Sequence, residues 1–240
     1  MKVGAMTGRS KTNLVLVPGL LCTADLYAAQ RAALGDIADM TVARHTEHPT
    51  VAAIAKEILA AAPPRFAVAG LSMGGYIAFE LLRQAPERVE RLALLDTAAR
   101  PDAPERKEAR RKLIELAREH GMAAVQKALM PNLIHADRQG DKPLVDRVVQ
   151  MAVDTGFEAF VRQQEALMSR PDCRPLLASI RIPTLVLVGD GDTLTPPDLS
   201  QEMHAGIAAS RLVTVAGSGH LSTMEKPEAV NTALRSWLLG

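Results

Sequence analysis

The stretch Phe66-Ala67-Val68-Ala69-Gly70-Leu71-Ser72-Met73-Gly74-Gly75-Tyr76-Ile77-Ala78-Phe79-Glu80-Leu81-Leu82 decides the fold. Its first four residues are apolar and short, the pattern of a strand buried on both faces. From Tyr76 to Leu82 the pattern is that of a helix. A strand that turns at once into a helix needs residues with almost no side chain beside the pivot, and Gly70 and Gly74 supply them. Ser72 is then left at the tip of a strained turn with its hydroxyl exposed. The first N–H groups of the helix aim back at the same spot, where negative charge is stabilised. In this strand–turn–helix setting the G-x-S-x-G spacing predicts a nucleophilic serine. Without that setting the same serine would only cap a helix.

Working outward, strand and helix signals alternate. Residues 13–17, 40–43, 91–95, 184–188 and 211–215 are further short apolar strands. Helices are predicted over 24–34 and over 51–62, the latter capped by Thr50 and stopped by Pro63-Pro64. The last helix opens at Pro227 and sends Val230, Leu234, Trp237 and Leu238 to the core. The expectation is an α/β fold: a mostly parallel, doubly wound sheet of about six strands, covered on both faces.

The alternation stops between residues 100 and 180, where only helical stripes occur, such as Ala109/Leu113/Leu116/Ala117 and Phe157/Phe160/Val161/Met168. Residues 1–99 and 181–240 are therefore assigned to the core, and 100–180 to a helical cap inserted in it. Met122, Met130, Met151 and Met168 give that cap an adaptable apolar interior. Its basic start is read as a solvated helix face, the alternative being that Arg106, Arg110 and Arg111 dock an acidic acyl carrier.

Composition narrows the field. The 240 residues are 48% apolar, ample for one large core, and the net charge of +1 offers no footprint for nucleic acid or an anionic membrane. Two cysteines, Cys22 and Cys173, make neither a disulfide framework nor a metal or redox motif. Residues 1–11 lack the apolar core of an export signal, and Leu14-Val15-Leu16-Val17 is too short to span a bilayer. A soluble cytoplasmic protein without metal or organic cofactor is expected.

A serine hydroxyl needs a neutral imidazole to take its proton. Of the six histidines, His120, His135 and His204 are assigned to the surface, and His45 and His48 to the neighbourhood of the site at the end of the second strand. His220 follows a strand in Ala216-Gly217-Ser218-Gly219-His220, where glycines free it to reach Ser72, and it is the predicted base. The acid is predicted at the end of Thr184-Leu185-Val186-Leu187-Val188-Gly189-Asp190-Gly191-Asp192. Asp192 is preferred because Gly191 lets the turn carry it inward, with Asp190 and Asp96 as rivals. The oxyanion donors are assigned to the N–H groups of Met73 and of Leu20, in Pro18-Gly19-Leu20-Leu21-Cys22, with Leu21 as substitute. Cys22 has no adjacent base to activate it. Substrate contacts are assigned to Leu21, His45, Met122, Met130 and Leu194.

Taken together, these segments resemble the α/β-hydrolase fold superfamily, and within it the small bacterial esterase-like members with a helical cap. The resemblance runs from Val15 to the last helix and is anchored by residues 70–75, 189–192 and 219–220. It implies the triad Ser72, Asp192 and His220, with Leu20 and Met73 as the oxyanion hole. Pro18-Gly19 stands where the family usually has His-Gly, and the twelve residues before the first strand are too few for the hairpin that opens the full fold. Serine at the elbow, where haloalkane dehalogenases and epoxide hydrolases carry Asp, leaves carboxylesterases, thioesterases, lactonases, C–C bond hydrolases and cofactor-free perhydrolases. Hydrolysis of a small-molecule carboxylic ester is the expected reaction. The expectation from another class is a small-ligand receptor on the same fold.

Overall fold

A computed structural model describes residues 11–240 of the chain. Apart from Lys11, the segment read as lacking an export signal lies outside the described residues. In chain order the elements are β1 (Thr12–Val17), α1 (Ala28–Leu34), β2 (Ala38–Val42), α2 (Val51–Ala61), β3 (Phe66–Leu71), α3 (Met73–Gln84) and β4 (Val89–Leu95). Four helices follow: α4 (Pro104–Leu133), α5 (Lys142–Thr155), α6 (Phe157–Ser169) and α7 (Arg174–Leu177). The chain then returns to the sheet with β5 (Thr184–Gly189), α8 (Pro197–Gly206), β6 (Ser210–Val215), α9 (Ser222–Glu225) and α10 (Pro227–Leu239).

All strand pairings are parallel, and the six strands lie in the order β2-β1-β3-β4-β5-β6. Side chains alternate between the faces, and both faces are covered. From β3, Ala67, Ala69 and Leu71 pack with α1, α10 and the end of α4, whereas Phe66 and Val68 pack with α2, α3 and α8. Continuous apolar runs belong to the central strands for that reason. The edge strand β2 differs: Asp39 and Thr41 are exposed and Ala38 is buried. Its alternating polarity explains why it begins two residues before the apolar run read from the sequence.

The helix predicted over 24–34 is divided. Ala24–Tyr27 is a 3-10 turn, and only Ala28–Leu34 is α-helical. Tyr27 leaves helical geometry because its buried hydroxyl donates to Val17 O at 3.0 Å, which pins the residue under the sheet edge. Helix α4 is broken at Gly121, where φ is +77°, so it is two helices end to end. A third apolar cluster, built on Leu21, Ala117, Met122, Val125, Ala152 and Phe160, joins α4, α5 and α6 to the loop after β1. Trp237 packs in the core and donates Nε1–H to Pro183 O at 3.1 Å. Among the described residues no helix is long and apolar enough to cross a membrane.

Candidate active site

The turn from β3 into α3 puts Ser72 at φ 54° and ψ −112°. A non-glycine residue in that region costs on the order of 1–3 kcal/mol and persists only where its surroundings hold it. Here Ser72 N–H donates to Leu95 O at 3.0 Å, and Ser72 O accepts from Thr97 Oγ1 at 2.8 Å and from Gly75 N–H at 2.9 Å. The glycines are required by close approach. A Cβ on Gly70 would sit 2.1 Å from Gly74 O, and one on Gly74 would sit 2.0 Å from Val17 O. Three non-glycine residues have positive φ among the described residues: Leu21, Ser72 and Asp96. Each lies just beyond the C-terminal end of a central strand, so backbone strain gathers where the site is.

Ser72 Oγ lies 2.8 Å from His220 Nε2, and His220 Nδ1 lies 2.8 Å from Asp192 Oδ2. A carboxylate can only accept, so Nδ1 carries the proton and Nε2 is left to accept from the serine hydroxyl. Asp192 is buried and fully engaged. Its Oδ1 takes Leu194 N–H at 2.9 Å and Thr195 N–H at 3.0 Å, and its Oδ2 takes the Thr195 hydroxyl at 2.7 Å. Burial alone would raise its pKa, but His220 and these donors outweigh that and hold the carboxyl below its ordinary value. Burial likewise pulls the His220 imidazole down, while the charge and hydrogen bond of Asp192 push harder the other way and leave it above its ordinary 6.5.

The rival acids have other partners. Asp190 Oδ1 accepts from Gly217 N–H at 2.8 Å and ties the β5 and β6 turns together. Asp96 accepts from Gly189 N–H at 2.9 Å and from the Ser222 hydroxyl at 2.5 Å. Burial and the Asp192 charge push its pKa up to about 8. Asp192 alone of the three hydrogen-bonds the imidazole.

Two residues that the sequence reading missed hold this arrangement. Thr195, fully buried, bonds Asp192 and lies 3.2 Å from His220 Nδ1. Glu225 Oε1 accepts from Gly219 N–H at 2.9 Å and Leu221 N–H at 3.3 Å, on either side of His220, while Oε2 accepts from His135 N–H at 2.7 Å. The signal for Thr195 was present, since D-x-x-T is a side chain closing on its own turn. Nothing local marks Glu225, because the N–H groups it holds come together only in the folded loop. His135, assigned to the surface, is half-buried: its ring packs against Gly191 in the acid turn.

On the other side of Ser72 lies the loop after β1. Gly19 O accepts from Cys22 N–H at 3.2 Å and lies 3.0 Å from His45 Nε2, which must be the protonated nitrogen. The Gly19 carbonyl and the Leu20 N–H point in opposite directions across one planar peptide. Anchoring the first on His45 therefore turns the second away from His45, and Leu20 lines the cavity beside Ser72. The Leu21 N–H is already engaged, donating to Gln163 Oε1 at 3.2 Å. Met73 opens α3, and neither its N–H nor that of Leu20 has a partner among the described residues.

A cavity of about 210 Å3 opens over Ser72 and His220. Its floor is Gly19, Leu20, Cys22, Leu71 and Tyr76, and its roof is Arg106, Ala109, Arg110, Leu113, Gln126, Leu129 and Leu133 of α4, with Leu167 of α6 and Leu194 beside them. Of the five residues assigned to substrate contact, Leu194 is on this wall. Leu21, Met122 and Met130 are buried in apolar clusters, and His45 is buried behind the Gly19 carbonyl. They were placed by chain proximity, which could not tell the lining of a cavity from the layer behind it. The Cys22 thiol also lines the cavity, and burial pushes its pKa up to about 12, so it is no nucleophile at neutral pH. The start of α4 is a largely solvated face, exposed at Glu105, Glu108, Arg111 and Lys112, but Arg110 is buried against Asp102 and Gln164, so Arg106, Arg110 and Arg111 do not share one surface. A larger depression of about 890 Å3 lies at the N-terminal strand ends, away from this chemistry. Among the described residues no group of three or more His, Cys, Asp or Glu gathers as a metal site.

Residues 14–233 match the model of the alpha/beta hydrolase family. A pimeloyl-[acyl-carrier protein] methyl ester esterase of Neisseria meningitidis serogroup C is 27% identical over 180 residues, 72% of this chain and 69% of that protein. A thermophilic esterase from Thermogutta terrifontis, solved with malate bound, superposes with a TM-score of 0.87 at 31% identity, covering 96% of this chain and 90% of that one. An enol-lactonase from Burkholderia xenovorans LB400 also gives 0.87, at 27% identity over 98% of this chain and 94% of that one.

Proposed function

We propose, from the premise that this chain belongs to the alpha/beta hydrolase family, that it is a serine hydrolase of small to medium carboxylic esters. The observation that carries this reading is the continuous relay from Ser72 Oγ through His220 to Asp192, with 2.8 Å at each link. Substrate enters with its carbonyl carbon at Ser72. His220 Nε2 takes the hydroxyl proton as Oγ attacks, and Asp192 stabilises the imidazolium that forms. The negative charge developing on the carbonyl oxygen is met by the N–H groups of Leu20 and Met73. His220 then returns the proton to the leaving alcohol, and a water activated by the same imidazole releases the acid from Ser72.

Lactones are the second reading, favoured by the likeness to an enol-lactonase. A lactone is a cyclic ester and needs no further group. In this reading residues 100–180 act as the cap, whose helix α4 roofs the nucleophile and keeps the site small. A fluorophosphonate probe tests the reading. Peptide mapping should place the adduct on Ser72, and Ser72→Ala should abolish both labelling and ester turnover, with kcat falling on the order of a millionfold. Ester turnover that survives Ser72→Ala would overturn it.

A further inference from the structure

Resting on the hydrolase reading, the roof of the cavity speaks to which esters enter. Three arginines converge on the fully buried carboxylate of Asp102. Arg110 Nε is 2.5 Å from it, Arg170 Nη1 2.8 Å and Arg106 Nε 3.5 Å. One negative charge thus faces three positive ones. Arg170 is otherwise satisfied, stacked over the Tyr76 ring at 3.9 Å and donating to Arg100 O. Arg106, whose Nη1 also donates to Leu194 O at 3.3 Å, and Arg110 line the cavity.

Arg110 has five N–H groups. Nε and Nη2 each give one to Asp102, and Nη1 gives one to Gln164 Oε1 at 2.8 Å. One N–H on each of Nη1 and Nη2 is left without a partner among the described residues, on a side chain only 10% exposed. Two unmet donors of a buried cation are costly. On the same roof Gln126 is 1% exposed, and its Oε1, an acceptor, has no partner among the described residues. The rest of the roof is mainly leucine. A polar, electropositive corner therefore faces an otherwise apolar cavity.

We propose that this corner is a carboxylate site, and that the enzyme selects esters bearing a free carboxylate on the part that points away from Ser72. A planar carboxylate matches the paired N–H groups of a guanidinium and brings the cluster a second negative charge. A neutral ester of the same length leaves all of these groups unmet.

Monomethyl adipate and methyl hexanoate differ only in whether the far end is a carboxylate or a methyl group. Wild-type kcat/KM should favour the hemi-ester by about tenfold to a hundredfold, the worth of a charge-assisted hydrogen bond. Arg110→Gln and Arg106→Gln should each bring that ratio most of the way to one. Arg106 is half-exposed, and its loss leaves Asp102 paired with Arg110 and Arg170, so that variant keeps the fold. No preference in the wild type, or a preference that survives both substitutions, overturns the proposal while leaving the hydrolase reading intact. Calorimetric titration of Ser72→Ala with adipate separates the two questions, because it needs no turnover. Saturable binding weakened at least tenfold by Arg106→Gln supports the site even if neither ester is cleaved, and absence of binding refutes it.

Discussion

The end of β3 and the start of α4 face each other across one cavity and are built on opposite terms. At β3 every residue from Phe66 to Leu71 is buried, the backbone is strained at Ser72, and a single added methyl at Gly74 would meet backbone at 2.0 Å. Along α4 many residues are exposed, the helix breaks at Gly121, and a methyl on Gly121 would meet nothing within 4 Å. The first region leaves the chain no freedom, as suits groups that must stay within tenths of an ångström of a reacting carbonyl. The second tolerates change, and its side chains line the cavity without touching the relay. In the proposed reading, reaction type and substrate choice are carried by separate parts of the chain.

The sharpest way to break this contrast is at the acid. Asp192→Asn should lower kcat by about ten-thousandfold with the fold intact, since an amide can hold the wrong imidazole tautomer. Asp96→Asn should be mild, because Asp96 bonds Gly189 N–H and the Ser222 hydroxyl and makes no hydrogen bond to the imidazole. Steady-state rates on one ester decide between them, and a severe Asp96 effect would move the acid to β4. Next in size is Gly74→Ala, which should cost on the order of 3 kcal/mol in denaturant unfolding by forcing backbone against backbone. The control, Gly140→Ala, has open space around it and should stay within about 0.5 kcal/mol.

Smaller effects sharpen the comparison. Each CH2 added to the acyl chain should gain at most about 0.8 kcal/mol in transition-state binding until the cavity is full, after which rates should fall. A p-nitrophenyl ester series measures this, and a preference for long-chain substrates or emulsions would show that α4 swings away. Smallest is the pH midpoint. The base must be neutral, so kcat/KM should rise with pH through a midpoint above 6.5. Burial lowers that value and Asp192 more than restores it, while the Arg106 charge adds a weaker downward push. Arg106→Gln should therefore move the midpoint up, and an unchanged midpoint would separate the arginine from the chemistry.

The sequence by itself determined the sheet, the elbow and the serine and histidine of the relay. The sheet was legible because strands buried on both faces are continuous apolar runs. Gly70 and Gly74 were legible because no other residue allows that turn, and the histidine because glycines precede it at the end of a strand. Other features were decided by tertiary structure alone. Which of Asp96, Asp190 and Asp192 meets His220 depends on where three strand ends fall relative to one another, a matter of fractions of an ångström that no local pattern encodes. The roles of Glu225 and His45 depend on N–H and C=O groups brought together by loops that are distant in the chain. The same holds for the roof. A run of arginines and glutamates looks like a solvated helix face, and only the packing of α4 over α6 turned Arg110 inward, where one buried carboxylate is too few for the arginines around it.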